Sequence, residues 1–318
     1  MTGLSTPWCE AMGLLVPIAN APMGGVAGGA LAAAVSAAGG LGMIGVGSAG
    51  SVGLLERESG VPREMGARFG IGLIDWAIQR DPGLLRAAIA AHPVLLSVSF
   101  GDDWSWAEQA SEAGIVTAAQ VYDGDEARRA ADAGIEVVVA RGAEGGGHGK
   151  ATVATLPLLE AVLDAVTVPV LAAGGISTSR GLAAVLAAGA SGVWLGTAFA
   201  ACPESLASDG ARWALLKASG RDTVMTSVFD AALGYPWPPE YPERVLCNEF
   251  TRRWSGREEE VASNGEARAA LTAAISDNDF TIAPVNAGQG VGLLTEIRPA
   301  KEVLEYFCAG AAELLRTR

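Results

Sequence analysis

Histidine is almost absent: the chain has 318 residues and only His92 and His148. Cysteine is nearly as scarce, with Cys9, Cys202, Cys247 and Cys308 scattered along the chain and no C-x-x-C pair. So few ligands, so spaced, argue against a zinc site or a disulfide framework. The expectation is no metal and four buried thiols in a reducing cytoplasm. Positive charge is short too, with 22 basic residues against 35 acidic ones, a formal charge of −13 and no basic cluster. Nucleic acid and anionic membrane are therefore excluded as partners, because both require a basic face. A phosphate would be held by backbone N–H groups and helix N-termini. The opening segment "MTGLSTPWCEAMG" lacks the basic and apolar regions of a secretion signal. Charge is missing altogether between Glu10 and Glu56, a stretch long enough for a membrane span. Pro17, Pro22 and the glycine pairs 24–25, 28–29 and 39–40 break any continuous helix there, so no span is expected.

What the chain does have is glycine, 42 residues of it, and a sequence that is 50% hydrophobic. With no G-X-Y period, that combination favours a compact α/β protein with tight strand–helix turns. Apolar runs predict strands at 16–23, 41–47, 67–74, 93–100, 114–121, 134–141, 168–175 and 191–199. Alanine-rich helical patterns separate them at 29–38, 81–91, 103–113, 124–133, 155–166 and 178–188, with a weaker one in 48–66. The strands are continuously apolar rather than alternating, as in parallel sheets buried on both faces. Ala38-Gly39, Ala113-Gly114, Ala133-Gly134 and Ala188-Gly189 each end a helix and open a strand, where glycine supplies a left-handed cap. Eight such units predict a (β/α)₈ TIM barrel, with an open doubly wound sheet as the alternative. After Cys202 the series stops. Residues 1–202 plus 288–318 are expected to form the barrel, and 203–287 a helical and loop insertion serving as a lid or substrate subdomain.

In a barrel of this kind, chemistry sits at the C-terminal strand ends. There "AAGGIST" places Gly174 and Gly175 before a helix start, and "LGTAF" places Gly196 and Thr197 after the last strand. Both suit a phosphate grip, with tight turns alone as the plain alternative. "ARGAEGGGHGK" puts Gly145, Gly146 and Gly147 directly before His148. Each ordered glycine costs about 0.5–1 kcal/mol of chain entropy. A flat ring packed on the backbone would explain that cost, with the His148 imidazole at its edge as a proton acceptor or donor. An ordinary loop histidine is the alternative. His92, before Pro93, falls at the opposite end of the barrel and reads as structural.

Taken together, these segments resemble the nitronate monooxygenase family, FMN-dependent TIM-barrel enzymes. "PIANAPMGGVAGGALAAAVSAAGGLGMIGVG", "ARGAEGGGHGK", "VPVLAAGGISTSRGLAAVLAAGASGVWLGTAF" and "AGQGVGLLTEIRPAKEVL" carry the likeness, which spans nearly the whole chain. The resemblance implies His148 as catalytic base. It implies FMN contacts from Gly146, Gly147, Gly174, Gly175 and the segment Trp194-Leu195-Gly196-Thr197. Pro22, Met23 and Gln120 would lie near the isoalloxazine ring. Two positions depart from the family pattern: Gly72 replaces its usual asparagine, and Arg141 its usual glutamine. An arginine there would set a fixed charge near the flavin or reach for an acidic substrate. The implied reaction oxidises a nitronate with O₂ to a carbonyl compound and nitrite. The rivals are an FMN-dependent NAD(P)H reductase acting on quinones or enoyl thioesters and a flavin-binding protein without chemistry. Tyr235, Trp237 and Tyr241 are expected to wall the substrate pocket, or else to form a surface loop or homodimer contact. Trp213 and Trp254 are expected in the core of the insertion.

Overall fold

The computed structural model describes residues 4–317, so the first three residues of the opening segment and the final Arg318 lie outside the description. Eight parallel strands form the centre: β1 (Ile18–Asn20), β2 (Gly42–Gly45), β3 (Phe69–Ile74), β4 (Leu95–Ser99), β5 (Val116–Val121), β6 (Val137–Arg141), β8 (Val170–Ala173) and β9 (Gly192–Leu195). Each falls inside one of the apolar runs. They pair in the order β1-β9-β8-β6-β5-β4-β3-β2. A parallel bridge between Ala19 and Leu41 joins the two edges and closes the barrel. Asn20, fully buried, clamps that seam: its side chain accepts from Met43 N–H at 2.8 Å and donates to Met43 O at 2.8 Å. The open-sheet alternative is thereby removed.

Alternation along the strands separates two cores. Ala19, Met43, Leu95, Ala118, Val137, Val139, Leu171 and Trp194 fill the barrel interior, and Trp8, Cys9 and Met12 of the helix Pro7–Met12 plug its lower end. Val138, Ala140, Ala172, Val193 and Leu195 face the surrounding helices instead. The four junction glycines have φ of 93° (Gly39), 72° (Gly114), 93° (Gly134) and 108° (Gly189), so the left-handed cap is real at all four. The weak pattern in 48–66 is a helix, Val52–Glu64, with Ser51 as its N-cap. A short helix at Asp75–Arg80 has no counterpart in the sequence reading.

The segment after the barrel is not only helix and loop. It contributes β10 (Thr223–Thr226) and β11 (Glu243–Leu246), which pair antiparallel. β11 then pairs with β7 (Gly147–His148), so the histidine loop is stitched into the insertion. Val228, Phe229, Phe250, Trp254 and Leu271 give this part its own core. Trp213 does not join it, being 56% exposed. Its flanks in the helix Asp209–Lys217 bury only Ala211 and Leu215, leaving the indole outward. Cys247 is likewise exposed, whereas Cys9, Cys202 and Cys308 are buried free thiols. Among the described residues no helix is long and apolar enough to cross a membrane.

Candidate active site

Four loops meet at the C-terminal mouth. The Ala21–Gly25 turn after β1 crosses it: Pro22 packs where a Cβ at Gly72 would lie, 2.3 Å from its Cγ, and the Met23 sulfur approaches within 3.6 Å of the Cβ position at Gly196. A side chain at Gly72 would therefore collide with the Pro22 ring. Gly174 and Gly175, at φ 110° and 69°, turn the chain after β8. A Cβ at Gly174 would strike Gly142 O and Thr155 Oγ1 at 2.8 Å. The segment 287–290 binds the loops together, Gly288 N–H donating to Thr197 Oγ1 at 3.0 Å and Gln289 N–H to Glu144 O at 2.8 Å. Glu144 itself is held by Thr155, whose N–H and Oγ1–H both donate to its carboxylate.

Chain atoms account for the glycine run. Cβ atoms at Gly145 and Gly149 would lie 2.8 Å and 2.5 Å from the Arg141 side chain, and one at Gly146 would lie 2.6 Å from Gly288 N. Gly147 is needed for a φ of 69°. Arg141 follows Val137 and Val139 in inward parity and is 4% exposed. Its Nη2 donates to the carbonyls of Gly145, Gly146 and Gly147 at 3.0, 3.1 and 2.9 Å. Burial pushes the guanidinium below its ordinary value, with nearby Tyr122 opposing. Its Nη1 is buried with no partner in the described structure. Arg141 is thus first a clasp under the loop. Arg141→Met should leave three carbonyls short of a donor and cost about 1–3 kcal/mol, read as a lower urea midpoint with unchanged slope.

His148 stands above this clasp. Its Nε2 lies 2.9 Å from Asp230 Oδ2, and both side chains are largely buried. Trp237 stacks on the imidazole with centroids 3.5 Å apart and planes at 5°. The indole N–H donates to Ser48 Oγ at 2.9 Å, and Phe100 and Trp76 pack edge-on against the indole at 5.0 and 5.7 Å. Tyr241 continues the wall from Phe100 to Tyr122. Burial raises both phenols, Tyr122 and Tyr241, so they stay neutral. Lys150 lies over both rings and pairs with buried Glu126 at 3.3 Å.

Of the residues singled out in the sequence, Pro22, Met23, Gly146, Gly147, Gly174, Gly175, Gly196 and Thr197 lie at the mouth, whereas Gly72 lies within β3, paired with Gly45 and Ser97. Gln120 is the last residue but one of β5, its N–H donating to Ser99 Oγ at 3.1 Å. Trp194 lies inside the barrel and Leu195 packs against the helix layer, so neither side chain faces the mouth. His92 is exposed at the other end, before β4. Asp230 and Glu243 were missed. An aspartate inside the apolar run "SVFDAALG" is the signal that marks the first.

A family model described as nitronate monooxygenase matches residues 77–310. The chain belongs to the nitronate monooxygenase family. As a member of this flavin-dependent family it is an enzyme, an oxidoreductase. It is 32% identical to the nitronate monooxygenase of Pseudomonas aeruginosa, across 92% of this chain and 95% of that one. It is also 32% identical to the (3aS,4S,5R,7aS)-5-hydroxy-7a-methyl-1-oxo-octahydro-1H-indene-4-carboxyl-CoA dehydrogenase of Rhodococcus jostii, across 79% and 68%. FabK from Thermotoga maritima superposes with a TM-score of 0.85 at 31% identity, covering 99% of this chain and 98% of that one. The TIM barrel of this nitronate monooxygenase family member is thus shared along nearly its full length.

Proposed function

We propose that this enzyme binds FMN and oxidises nitronates or nitroalkanes with O₂, with His148 as the base. The pairing of His148 with Asp230 carries the reading. An ionised Asp230 keeps the hydrogen on Nε2 and leaves the Nδ1 lone pair free to accept a proton. A neutral nitroalkane needs that proton taken from Cα; a preformed nitronate does not.

FMN fits the residues present. At Gly196 the nearest atoms to a Cβ position are the Met23 sulfur at 3.6 Å and the Ala21 Cβ at 3.8 Å, and Gly174 and Gly175 hold conformations that side chains rarely adopt. Backbone N–H groups and the hydroxyls of Ser177, Thr178 and Thr197 can meet a phosphate without a lysine. The unpartnered Nη1 of Arg141 offers a donor to a buried acceptor. Bound FMN supplies the electron chemistry that couples the nitronate to O₂. The chain supplies the proton acceptor, the aromatic wall that excludes water, and the orientation of the imidazole. Trp237 and the insertion around it serve as the lid.

The CoA-thioester name of the Rhodococcus relative and the end-to-end overlap with FabK support a second reading, reduction of an enoyl thioester or quinone by NAD(P)H. The same histidine would then deliver a proton. One pair of measurements separates the two. On the first reading, purified protein is yellow, consumes O₂ with propionate 3-nitronate, and is not bleached by NADH under anaerobic conditions. Rapid anaerobic bleaching without nitronate-dependent O₂ uptake overturns it in favour of the second.

A further inference from the structure

β11 runs antiparallel to β7 with Glu243 directly opposite His148. Asp230, from the helix Val228–Leu233, reaches the same place. The His148 nitrogen and one oxygen from each carboxyl lie within 4.8 Å of one another. Both carboxyl residues are buried, Asp230 at 6% and Glu243 at 5% exposure. Two carboxyls this close and this dry cannot both ionise without large cost. His148 pairs with one of them. The other groups on Glu243 are neutral: Asn286 hydrogen-bonds its carboxyl, and Thr226 is its neighbour across β10. Arg244, next along β11, is turned away and donates to Ala143 O and Thr223 Oγ1.

We propose that Glu243 is a positioning residue for His148: as a neutral carboxylic acid it shares its hydrogen with Asp230, so the pair carries one negative charge and that charge orients the imidazole. The inference rests on the reading of His148 as the base. It adds a second carboxyl, supplied by the insertion, to the machinery behind that base. Burial pushes Glu243 well above the ordinary carboxylate range; the Asp230 charge acts in the same direction, and the Asn286 bond opposes both.

The test compares Glu243→Gln, a neutral isostere, with Glu243→Ala in the FMN-loaded enzyme. Should the alanine variant not fold, Glu243→Met retains the volume. The first readout is the ¹⁵N spectrum of histidine-labelled protein, with His92 as internal reference. Glu243→Gln should keep the wild-type His148 signals, with hydrogen on Nε2. Glu243→Ala should shift them toward a tautomer mixture. The second is turnover on a neutral nitroalkane: Glu243→Ala loses about tenfold in kcat with a displaced pH profile, and the conservative Glu243→Gln recovers most of that loss. The third is thermal stability against pH. Between the unfolded and the raised folded pKa the native state holds a proton that the unfolded state releases, so stability falls as pH rises through that window. Glu243→Gln should therefore lose less Tm than wild type as pH rises above the ordinary carboxylate range.

A glutamine variant with a displaced pH profile would mean an ionised Glu243 and overturns the proposal. So does an alanine variant with wild-type spectrum and kcat. Activity abolished by EDTA and restored by Zn²⁺ would make the cluster a cation site, which also overturns it. The spectrum and the Tm slope need no turnover, so a failure of the nitronate reading is distinguishable from a failure of this one.

Discussion

His148→Ala is expected to keep its flavin and to lose about 10²–10⁴-fold in kcat/KM on a neutral nitroalkane. A preformed nitronate should lose far less, because its Cα proton is already gone. The asymmetry is the point of the experiment. FMN retention is expected because the proposed phosphate grip is at Gly174, Gly175, Gly196 and Thr197, on loops tied by Gly288 and Gln289 rather than by the imidazole. The variant also leaves the Asp230 carboxylate buried without its partner at 2.9 Å. His148→Gln is the companion variant, since its amide can still donate toward Asp230 but cannot accept a proton at neutral pH. Stopped-flow anaerobic reduction with nitroethane and with ethyl nitronate measures both. Full activity of His148→Ala on the neutral substrate would remove the base. Equal losses on both substrates would make His148 a binding group instead.

The barrel was legible because its strands are buried on both faces. A strand such as "GMIG" is apolar throughout, and every observed barrel strand falls inside an apolar run. The junction glycines were legible because αL geometry admits few other residues. The insertion strands were not. β10 reads "TVMT" and β11 "ERVL", four residues each, half polar and without flanking repeats. Their existence depends on pairing with each other and with β7. The loop of His148 could be read as special, but Asp230 lies 82 residues further on and is brought to it only by that small sheet. Arg141 shows the limit from the other side. Its inward direction follows from strand parity, yet three loop carbonyls, not a ligand, claim its Nη2. The glycines likewise belong in part to the chain's own packing, which no local pattern reveals.

Gly146→Ala is expected to do more damage than Gly147→Ala, although Gly147 has the unusual backbone. At Gly147 the φ of 69° puts a side chain in the left-handed region, but the nearest atom to a Cβ is Asn286 Nδ2 at 3.5 Å. The cost there is the conformational one, about 1–2 kcal/mol. At Gly146 a Cβ would sit 2.6 Å from Gly288 N and 2.7 Å from Ala287 C. Both are backbone atoms, so no rotamer change relieves the clash. The segment 287–290 must move, and with it the bonds from Gly288 to Thr197 and from Gln289 to Glu144. The expected loss is roughly 3 kcal/mol, at the upper end for overpacking, together with release of FMN and loss of turnover as the loops separate. Gly147→Ala should instead retain flavin and most of its activity. Thermal unfolding with flavin fluorescence as the reporter measures both variants in one experiment. A Gly146→Ala protein as stable and as yellow as wild type would show that the closing segment is not what holds the glycine loop over the barrel.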